Sequence, residues 1–376
     1  MRLVLLLAAA LASAALANPV LAWVPNDTLY PEQWALKNAS AHGIQAERAW
    51  DLADGETIVV AVLDSGVTPH SDLQPNLLPG YDFITALDNS ADGDGRDGDA
   101  TDPGNARLEG ECGAGWKSSG STWHGTQVAG VIGAVADNAK GVAGVARAAS
   151  IVPVRVSGKC GAQRSDIVDA IIWAAGGTAP GIPENPHPAI VINLSLATPA
   201  ACGISLQRAV DFAVGAGTTV VAGAGNDSAD VGGYSAASCN NVIVVAASND
   251  RGLAAGFSNH GAPVDIAAPG ESIRTTSNLG TTRAGAESYD SLNGTSFATP
   301  MVSGVVALMQ SAHTGRSRLS PDRVEALLKQ TATPFAPDAS SRHYGVGIVN
   351  AAQAVEAALR PTIDSPIWEA ILDGDL

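Results

Sequence analysis

Residues 57–66 read TIVVAVLDSG, a β-branched apolar run that ends at an aspartate and a glycine turn. Four further runs of the same character occupy residues 151–156, 189–196, 218–222 and 242–247. Short continuous apolar runs are typical of strands that are buried on both faces, as they are in a parallel sheet. These runs therefore predict a central parallel sheet.

Helical patterns alternate with these runs, at residues 124–136, 165–175, 206–216, 321–331 and 351–359. We predict that Ser165 and Ser320 cap two of these helices, because a hydroxyl oxygen can accept from the free N–H groups of a first turn. Alternation of strand and helix over this length predicts an α/β fold in which helices flank a mostly parallel sheet. No internal repeat or long linker divides the chain, so we predict one domain over residues 23–360 and an acidic C-terminal tail over 361–376.

Composition excludes several classes of protein. The chain has 376 residues, of which 46% are hydrophobic and 15% charged, with 41 glycines. Such a chain is too apolar to be disordered and long enough to bury a sizeable core. The 21 basic and 37 acidic residues give a net charge of −16. This charge argues against nucleic acid or anionic lipid as the main partner.

The N-terminus resembles an export signal. Arg2 is followed by residues 3–17, which are apolar except for one serine. The run is shorter than the ~20 residues of a membrane span, and small residues suited to cleavage follow it. We therefore predict a signal peptide over residues 1–22 and a secreted protein with no membrane attachment after cleavage. A buried N-terminal helix is the alternative.

The chain has four cysteines, an even number that suggests two disulfides in an oxidising compartment. Three pairings are possible, and we favour the two local closures, Cys112 with Cys160 and Cys202 with Cys239. In the chain-entropy model each closure would contribute about 3–4 kcal/mol. Metal binding is the weaker alternative, since no pair has the CxxC spacing and none lies beside a histidine.

Reactive side chains follow the predicted strands or begin the predicted helices. Asp64 ends the first strand, Ser195 lies near the end of another, and Asn226 follows a third. His124 and Ser296 lie where helical patterns begin. Because ligands of open α/β sheets bind outside the carboxyl ends of the strands, we expect these groups on one face. Taken singly, each could be only a turn residue, a surface histidine or a helix cap.

Three motifs, DSG at 64–66, HGT at 124–126 and GTSFATP at 294–300, occur in the order aspartate, histidine, serine. With the VPND segment at 24–27, they make residues 23–359 resemble the subtilases, the subtilisin-like serine proteases, in their secreted bacterial branch. The resemblance implies a three-layer α/β fold and a monomeric serine endopeptidase that acts on proteins or peptides. The alternative is an interaction or storage protein that keeps the fold without turnover.

The resemblance also assigns roles to individual residues. Ser296 would attack the scissile carbonyl, His124 would carry its proton, and Asp64 would hold the imidazole. Asn226 matches the amide of the family's oxyanion hole. The substrate would lie as an extended strand added to the site, and two walls of its primary pocket would be formed by Ser195, Leu196, Ala197, Gly223, Ala224 and Gly225.

Two wall residues depart from the family's usual pattern. Ala197 stands where glycine is common, and Gly223 stands where alanine is usual. A methyl group is thus added on one wall and removed from the other. We expect broad specificity with a preference for large apolar side chains before the cleaved bond.

The acidic segment 92–99 reads DGDGRDGD, with carboxylates separated by glycines. Such oxygen ligands suit Ca²⁺, although the segment is not an EF-hand, because Pro103 occupies the twelfth position. The resemblance adds a further ligand from the YDF segment. We predict structural calcium, with no part in catalysis, held by Asp82, Asp92, Asp94, Asp97 and Asp99. A solvated acidic loop is the alternative.

Subtilases commonly carry a long inhibitory segment between the signal peptide and the mature domain. Here the VPND segment follows almost directly on the predicted signal peptide, which leaves no room for such a segment. We therefore expect the chain to fold unaided or with a separate factor, or to represent a shortened gene product.

Overall fold

The computed structural model describes residues 23–313, 317–337 and 342–360. The predicted signal peptide, residues 1–22, and the predicted acidic tail, residues 361–376, lie outside the described residues. Over the described ranges, no helix combines the length and the apolar character that crossing a membrane requires.

A seven-stranded parallel sheet forms the centre of the fold, in the order β2-β3-β1-β6-β7-β8-β9. Its strands are β1 Val59–Asp64, β2 Tyr81–Asp82, β3 Ser150–Arg155, β6 Val191–Leu194, β7 Thr219–Gly223, β8 Ile243–Ser248 and β9 Ile266–Pro269. Two small antiparallel pairs accompany it, β4 Ser157–Gly158 with β5 Gly161–Ala162, and β10 Ile273–Asn278 with β11 Glu287–Leu292. All five predicted strands are confirmed within one or two residues at each end.

Helices cover both faces of the sheet, as α1 Ala46–Trp50, α2 Leu87–Ser90, α3 His124–Gly133, α4 Arg164–Ala174, α5 Ile204–Gly215, α6 Thr295–Ala312, α7 Pro321–Thr331 and α8 Ala351–Leu359. Val60 and Val62 of β1 pack in one apolar cluster with α3, α6 and α8, whereas Ala61 and Leu63 pack in a second with α4 and α5. Successive side chains of a strand point to opposite faces, so the two clusters are the two sides of one sheet. The predicted three-layer α/β fold is confirmed.

One of the two predicted helix caps is wrong. Helix α4 begins at Arg164, its extended flanking residue is Gln163, and no side chain caps it. Ser165 therefore lies inside the helix, whereas a capping residue needs non-helical backbone angles. The other prediction is confirmed, because Ser320 precedes α7 and its side chain accepts from Arg323 N–H at 3.3 Å.

Two disulfides connect loops to the body of the domain. Cys112 bonds to Cys160, which ties the loop before α3 to the β4–β5 pair. Cys202 bonds to Cys239, which ties the segment before α5 to the loop before β8. These are the two local closures favoured from the sequence.

Candidate active site

The candidate catalytic residues meet at the carboxyl edge of the sheet. Asp64 is the last residue of β1, and Ser195 follows β6 directly. Helix α3 begins with His124, and Ser296 is the second residue of α6. Because all seven strands are parallel, their carboxyl ends share one edge, where loops present side chains to a ligand.

A buried carboxylate fixes the imidazole. His124 Nδ1 lies 2.7 Å from Asp64 Oδ1 and 2.9 Å from Oδ2. Only 1% of the Asp64 side chain is exposed, and its Oδ1 also accepts from Ser65 N–H at 2.7 Å. An N–H on Nδ1 donates to this carboxylate, which leaves Nε2 as the basic nitrogen of the neutral ring.

The environment of His124 also changes its proton affinity. Burial lowers the pKa of His124, but the charge of Asp64, its hydrogen bond and the charge of Asp102 outweigh burial and leave the pKa raised. The neutral imidazole that can accept a proton therefore predominates only above this raised pKa.

Two serines hold each other across the site. Ser296 Oγ donates to Ser195 O at 3.1 Å, and Ser195 Oγ donates to Ser296 O at 2.9 Å. The carbonyl of Ser296 is free for this bond because Pro300, one helical turn later, has no N–H to offer it. Attack on a substrate requires the Ser296 hydroxyl to turn from Ser195 toward His124.

Two buried residues that were not predicted from the sequence, Asn193 and Ser303, form hydrogen bonds that hold the Ser195 side chain. Asn193 Nδ2 donates to Ser195 Oγ at 3.0 Å, and Ser303 Oγ donates to Asn193 Oδ1 at 2.8 Å. Asn193 and Ser303 are fully buried, so their polar atoms depend on these bonds. The place of Asn193, two positions before Ser195, is the sequence signal that could have identified it.

The amide of Asn226 has a defined orientation. Its Oδ1 accepts from the N–H of Thr295 at 2.9 Å and from the Thr295 hydroxyl at 3.0 Å. The hydroxyl in turn accepts from Gly225 N–H at 3.2 Å. Because Oδ1 is held by Thr295, the Nδ2 hydrogens remain available for an oxyanion beside Ser296. Thr295 was not predicted, although its place before the serine in the motif pointed to it.

The two predicted substrate walls lie side by side. Ser195, Leu196 and Ala197 follow β6, while Gly223 ends β7 and is followed by Ala224 and Gly225. A Cβ placed on Gly225 would lie 3.3 Å from the Ala197 methyl and 2.4 Å from Asn259 Nδ2. With a φ of +103°, Gly225 also has a backbone conformation that favours glycine.

The missing methyl of Gly223 does not deepen the substrate cleft. A Cβ at this position would lie 2.9 Å from Thr299 Oγ1 and 3.3 Å from Thr295 Oγ1. The space on this side of Gly223 is therefore filled from helix α6. Of the two departures from the family pattern, only Ala197 adds a group close to the facing wall.

Two of the predicted calcium ligands pair with an arginine. The buried guanidinium of Arg155 donates to both Asp82 and Asp92, and also to the carbonyl of Ser90. Asp97 Oδ1 accepts from Asp99 N–H at 2.9 Å. Over residues 23–313, 317–337 and 342–360, no group of three or more acidic, histidine or cysteine side chains is arranged to hold a metal. An arginine from β3, which the sequence pattern could not reveal, supplies the positive charge of this loop.

A different pair of carboxylates has an unsatisfied oxygen. Asp27 and Asp72 are buried, and burial raises the pKa of both. Asp27 Oδ2 accepts from Asp137 N–H at 2.7 Å, but no hydrogen-bond partner reaches Asp27 Oδ1. Asn138 Nδ2 donates to Asp72 Oδ1 at 2.6 Å. Val142 N–H donates to Asp72 Oδ2 at 3.0 Å, so the unpartnered oxygen of this pair is Asp27 Oδ1, and a carboxylate oxygen is a ligand of the kind that Ca²⁺ prefers.

Comparison with known proteins identifies the relatives of this chain. The model of the family described as "Subtilase family" matches residues 55–347. The chain is 52% identical over 335 residues to the "Extracellular protease" of Xanthomonas campestris pv. campestris, covering 89% of this chain and 57% of that protein. It is 41% identical over 358 residues to the "Extracellular basic protease" of Dichelobacter nodosus, covering 91% and 59%. The chain thus spans less than three fifths of the length of these two relatives.

Two further matches cover their counterparts fully or almost fully. The "Thermitase" of Thermoactinomyces vulgaris is 33% identical over 336 residues, which are 89% of this chain and 100% of that protein. A solved structure titled as proteases from Pseudoalteromonas arctica PAMC 21717 superposes with a TM-score of 0.86 at 45% identity, covering 89% of this chain and 99% of that one.

Proposed function

The chain belongs to the subtilase family, and on this premise we propose that it is a serine endopeptidase that hydrolyses peptide bonds through an acyl-enzyme. The observation that supports the proposal best is the bond of 2.7 Å between His124 Nδ1 and the buried carboxylate of Asp64, at the sheet edge that also carries Ser296. A histidine held in this way has Nε2 free to act as a base.

The acylation step begins when Ser296 Oγ attacks the scissile carbonyl carbon. Its proton passes to His124 Nε2, and the charge of Asp64 stabilises the imidazolium. The carbonyl oxygen becomes an oxyanion that accepts from Asn226 Nδ2 and from the N–H of Ser296 at the start of α6. His124 then protonates the leaving amine as the C–N bond breaks. In the second half-reaction, water attacks the acyl-enzyme by the same steps, and the carboxylic acid product is released.

Labelling with a fluorophosphonate tests this proposal directly. The reagent reacts with a serine hydroxyl that an adjacent base activates, so folded wild-type protein should take one label on Ser296. Mass spectrometry of the labelled peptide locates the modification. If folded protein takes no label while a known serine protease in the same tube is labelled, the proposed activity is wrong.

We expect kcat/KM to decrease as the pH is lowered, with the midpoint of the decrease above the ordinary imidazole pKa of about 6.5. The raised pKa of His124 keeps the ring protonated, and therefore unable to accept the serine proton, up to a higher pH. Initial rates on a peptide substrate between pH 5 and 9 give this value for the free enzyme. An acid limb centred below 6.5 would contradict the charge environment described for His124.

Substrates should bind as an extended strand between the two walls, with broad specificity and a preference for large apolar side chains before the cleaved bond. We expect Ala197→Gly to raise the ratio of kcat/KM for phenylalanine over alanine at that position by about 3–10-fold, because it removes a methyl from one wall. Gly223→Ala is the matched variant. It should lower the melting temperature through contact with Thr299 and leave the ratio unchanged. The reverse pattern would mean that Gly223 lines the substrate cleft.

Calcium remains a prediction, and we now favour the buried pair Asp27 and Asp72 over the acidic loop. A chelator should lower the melting temperature, by about 5–10 °C relative to calcium at 100 times its Kd. Asp92→Asn should keep this response, because Arg155 already neutralises Asp92, whereas Asp72→Asn should abolish it. A melting temperature that is the same with chelator and with calcium would exclude a structural ion.

We also propose that the protein is exported and works outside the cell as a monomer. Two relatives carry names that call them extracellular, and the two disulfides suit an oxidising compartment. The signal peptide, the single domain over residues 23–360 and the acidic tail remain predictions from the sequence.

A further inference from the structure

A second carboxylate lies behind Asp64, and the mechanism described above does not use it. Asp102 is 1% exposed, its Oδ2 accepts from Ser65 Oγ at 2.7 Å, and its Oδ1 accepts from Gly104 N–H at 2.9 Å. Burial raises the pKa of Asp102 to about 6, although the hydrogen bonds from Ser65 and Gly104 lower it. A buried carboxylate is costly unless its oxygens are hydrogen-bonded, and both oxygens of Asp102 accept such bonds.

Ser65 links this carboxylate to both halves of the catalytic pair. Its N–H donates to Asp64 Oδ1 at 2.7 Å, and its Oγ accepts from the N–H of Gly125, the residue after His124, at 3.0 Å. A hydroxyl has one hydrogen to donate, and Asp102 accepts it. The lone pairs of Ser65 Oγ are thereby directed at Gly125.

The backbone around this link is packed too closely to adjust. A Cβ on Gly125 would lie 2.1 Å from the carbonyl oxygen of Gly66, and a Cβ on Gly66 would lie 3.0 Å from Asp102 N. The N–H of Asp102 also donates to Val67 O at 3.4 Å. The turn after β1, the segment of Asp102 and the first turn of α3 therefore form one rigid unit.

From this arrangement we propose that Asp102 is a positioning residue, which acts through the hydroxyl of Ser65 to hold Asp64 and His124 in register. The proposal rests on the proposed endopeptidase function, since it concerns the same site. Asp102 touches neither the substrate nor the reacting atoms. Its effect is to keep the turn that carries Asp64 against the helix start that carries His124.

The charge of Asp102 has a separate, measurable effect. The charged groups that face it are Asp64 from β1, His124 from α3 and Arg155 from β3. A negative charge near the imidazole favours its protonated form, and Arg155 offsets part of this effect. Neutralising Asp102 should therefore move the pKa of His124 downward.

The experiment compares Asp102→Asn, Ser65→Ala and the double variant with wild type, by kinetics on a peptide substrate between pH 5 and 9. Asp102→Asn should lower kcat about 3–30-fold with little change in KM and shift the acid limb downward. Ser65→Ala should lower kcat similarly but shift the limb less, because the charge of Asp102 remains. The fold-loss of kcat in the double variant should be no more than about twice the larger fold-loss of the two single variants, since the effects of coupled residues do not add.

Asp265→Asn is the control for the general effect of losing a buried carboxylate. Asp265 lies before β9 at the opposite edge of the sheet, where it accepts from Val244 N–H and pairs with Lys329. This variant should lose stability without any change in the acid limb. If Asp102 had only a structural role, Asp102→Asn would likewise lose stability without any change in the acid limb.

Titration of the His124 imidazole by NMR gives a readout that does not depend on turnover. If wild type is inactive yet Asp102→Asn and Ser65→Ala both weaken the low-field proton signal of the His124 Nδ1–H bonded to Asp64, the endopeptidase function fails and the positioning role stands. If Asp102→Asn does not fold, Ser65→Ala decides the question, since it removes only the connecting oxygen. An unchanged acid limb and an unchanged imidazole titration in Asp102→Asn, or single losses that multiply in the double variant, would overturn the proposal.

Discussion

Replacing Ser296 by alanine should abolish peptide hydrolysis and leave the fold intact. Loss of the nucleophile in an enzyme of this type costs on the order of 10⁶ in kcat, because no other group can form the acyl intermediate. The structural cost is small, since Ser296 Oγ makes one hydrogen bond, to Ser195 O. One such bond is worth about 0.5–1.5 kcal/mol. Casein hydrolysis and a thermal melt of the same preparation measure the two effects.

Ser320→Ala is the matched control for this substitution. It removes a hydroxyl that caps α7 and should lower stability by about 1 kcal/mol with full activity retained. Two results would reject the assignment of Ser296. Hydrolysis that persists in Ser296→Ala would require another nucleophile, and a collapse of its melting transition would make the serine chiefly a structural group.

The second large effect is expected at Asn226. Asn226→Ala removes a side-chain donor to the oxyanion and should lower kcat about 10²–10³-fold while KM changes little. The expectation depends on the orientation of the amide, because Thr295 holds Oδ1 from two atoms and leaves Nδ2 for the substrate. Steady-state kinetics on a peptide ester and on the matching amide measure the loss for both leaving groups.

Asn226→Asp and Asn240→Ala make this test specific. The aspartate has almost the same shape but puts an acceptor where the oxyanion needs a donor, so its loss should equal or exceed that of alanine. Asn240 is exposed in the loop before β8, and its replacement should leave kcat unchanged. If both Asn226 variants keep wild-type kcat, the oxyanion is stabilised by the Ser296 N–H and by groups other than Asn226.

The parallel sheet and the candidate triad were predictable because their signals are local. A continuous apolar run such as residues 57–63 can hardly be solvent-exposed, and Asp64, His124 and Ser296 each lie inside a short motif. The β10–β11 pair was not predicted, because Arg274, Thr275 and Thr276 interrupt the alternation of apolar and polar residues that marks a strand. Thr275 and Thr276 are buried and donate to carbonyls of α3, a use of polar side chains that the strand pattern does not reveal.

One predicted helix cap was wrong, and other contacts could not be seen in the sequence because they join residues far apart in the chain. The acidic loop was interpreted as a cation site because its neighbour in space, Arg155 of β3, lies more than fifty positions away. Asp102 resembles a turn residue before proline until its bond to Ser65 is seen. The cap prediction at Ser165 was wrong for a local reason, since the exact first residue of a helix is harder to predict than the presence of the helix.

The order of strands in the sheet determines when the candidate active site can first form. Val60 of β1 pairs with Ile151 of β3 on one side and with Val191 of β6 on the other, so the centre of the sheet cannot assemble from neighbouring segments. Contacts between such distant parts of a chain are typical of proteins that fold slowly. Ser296 is the last of the candidate catalytic residues along the chain, and it lies on a helix buried against β6, β7, β8 and β9. A growing chain therefore lacks the proposed nucleophile until all seven strands of the sheet have been made.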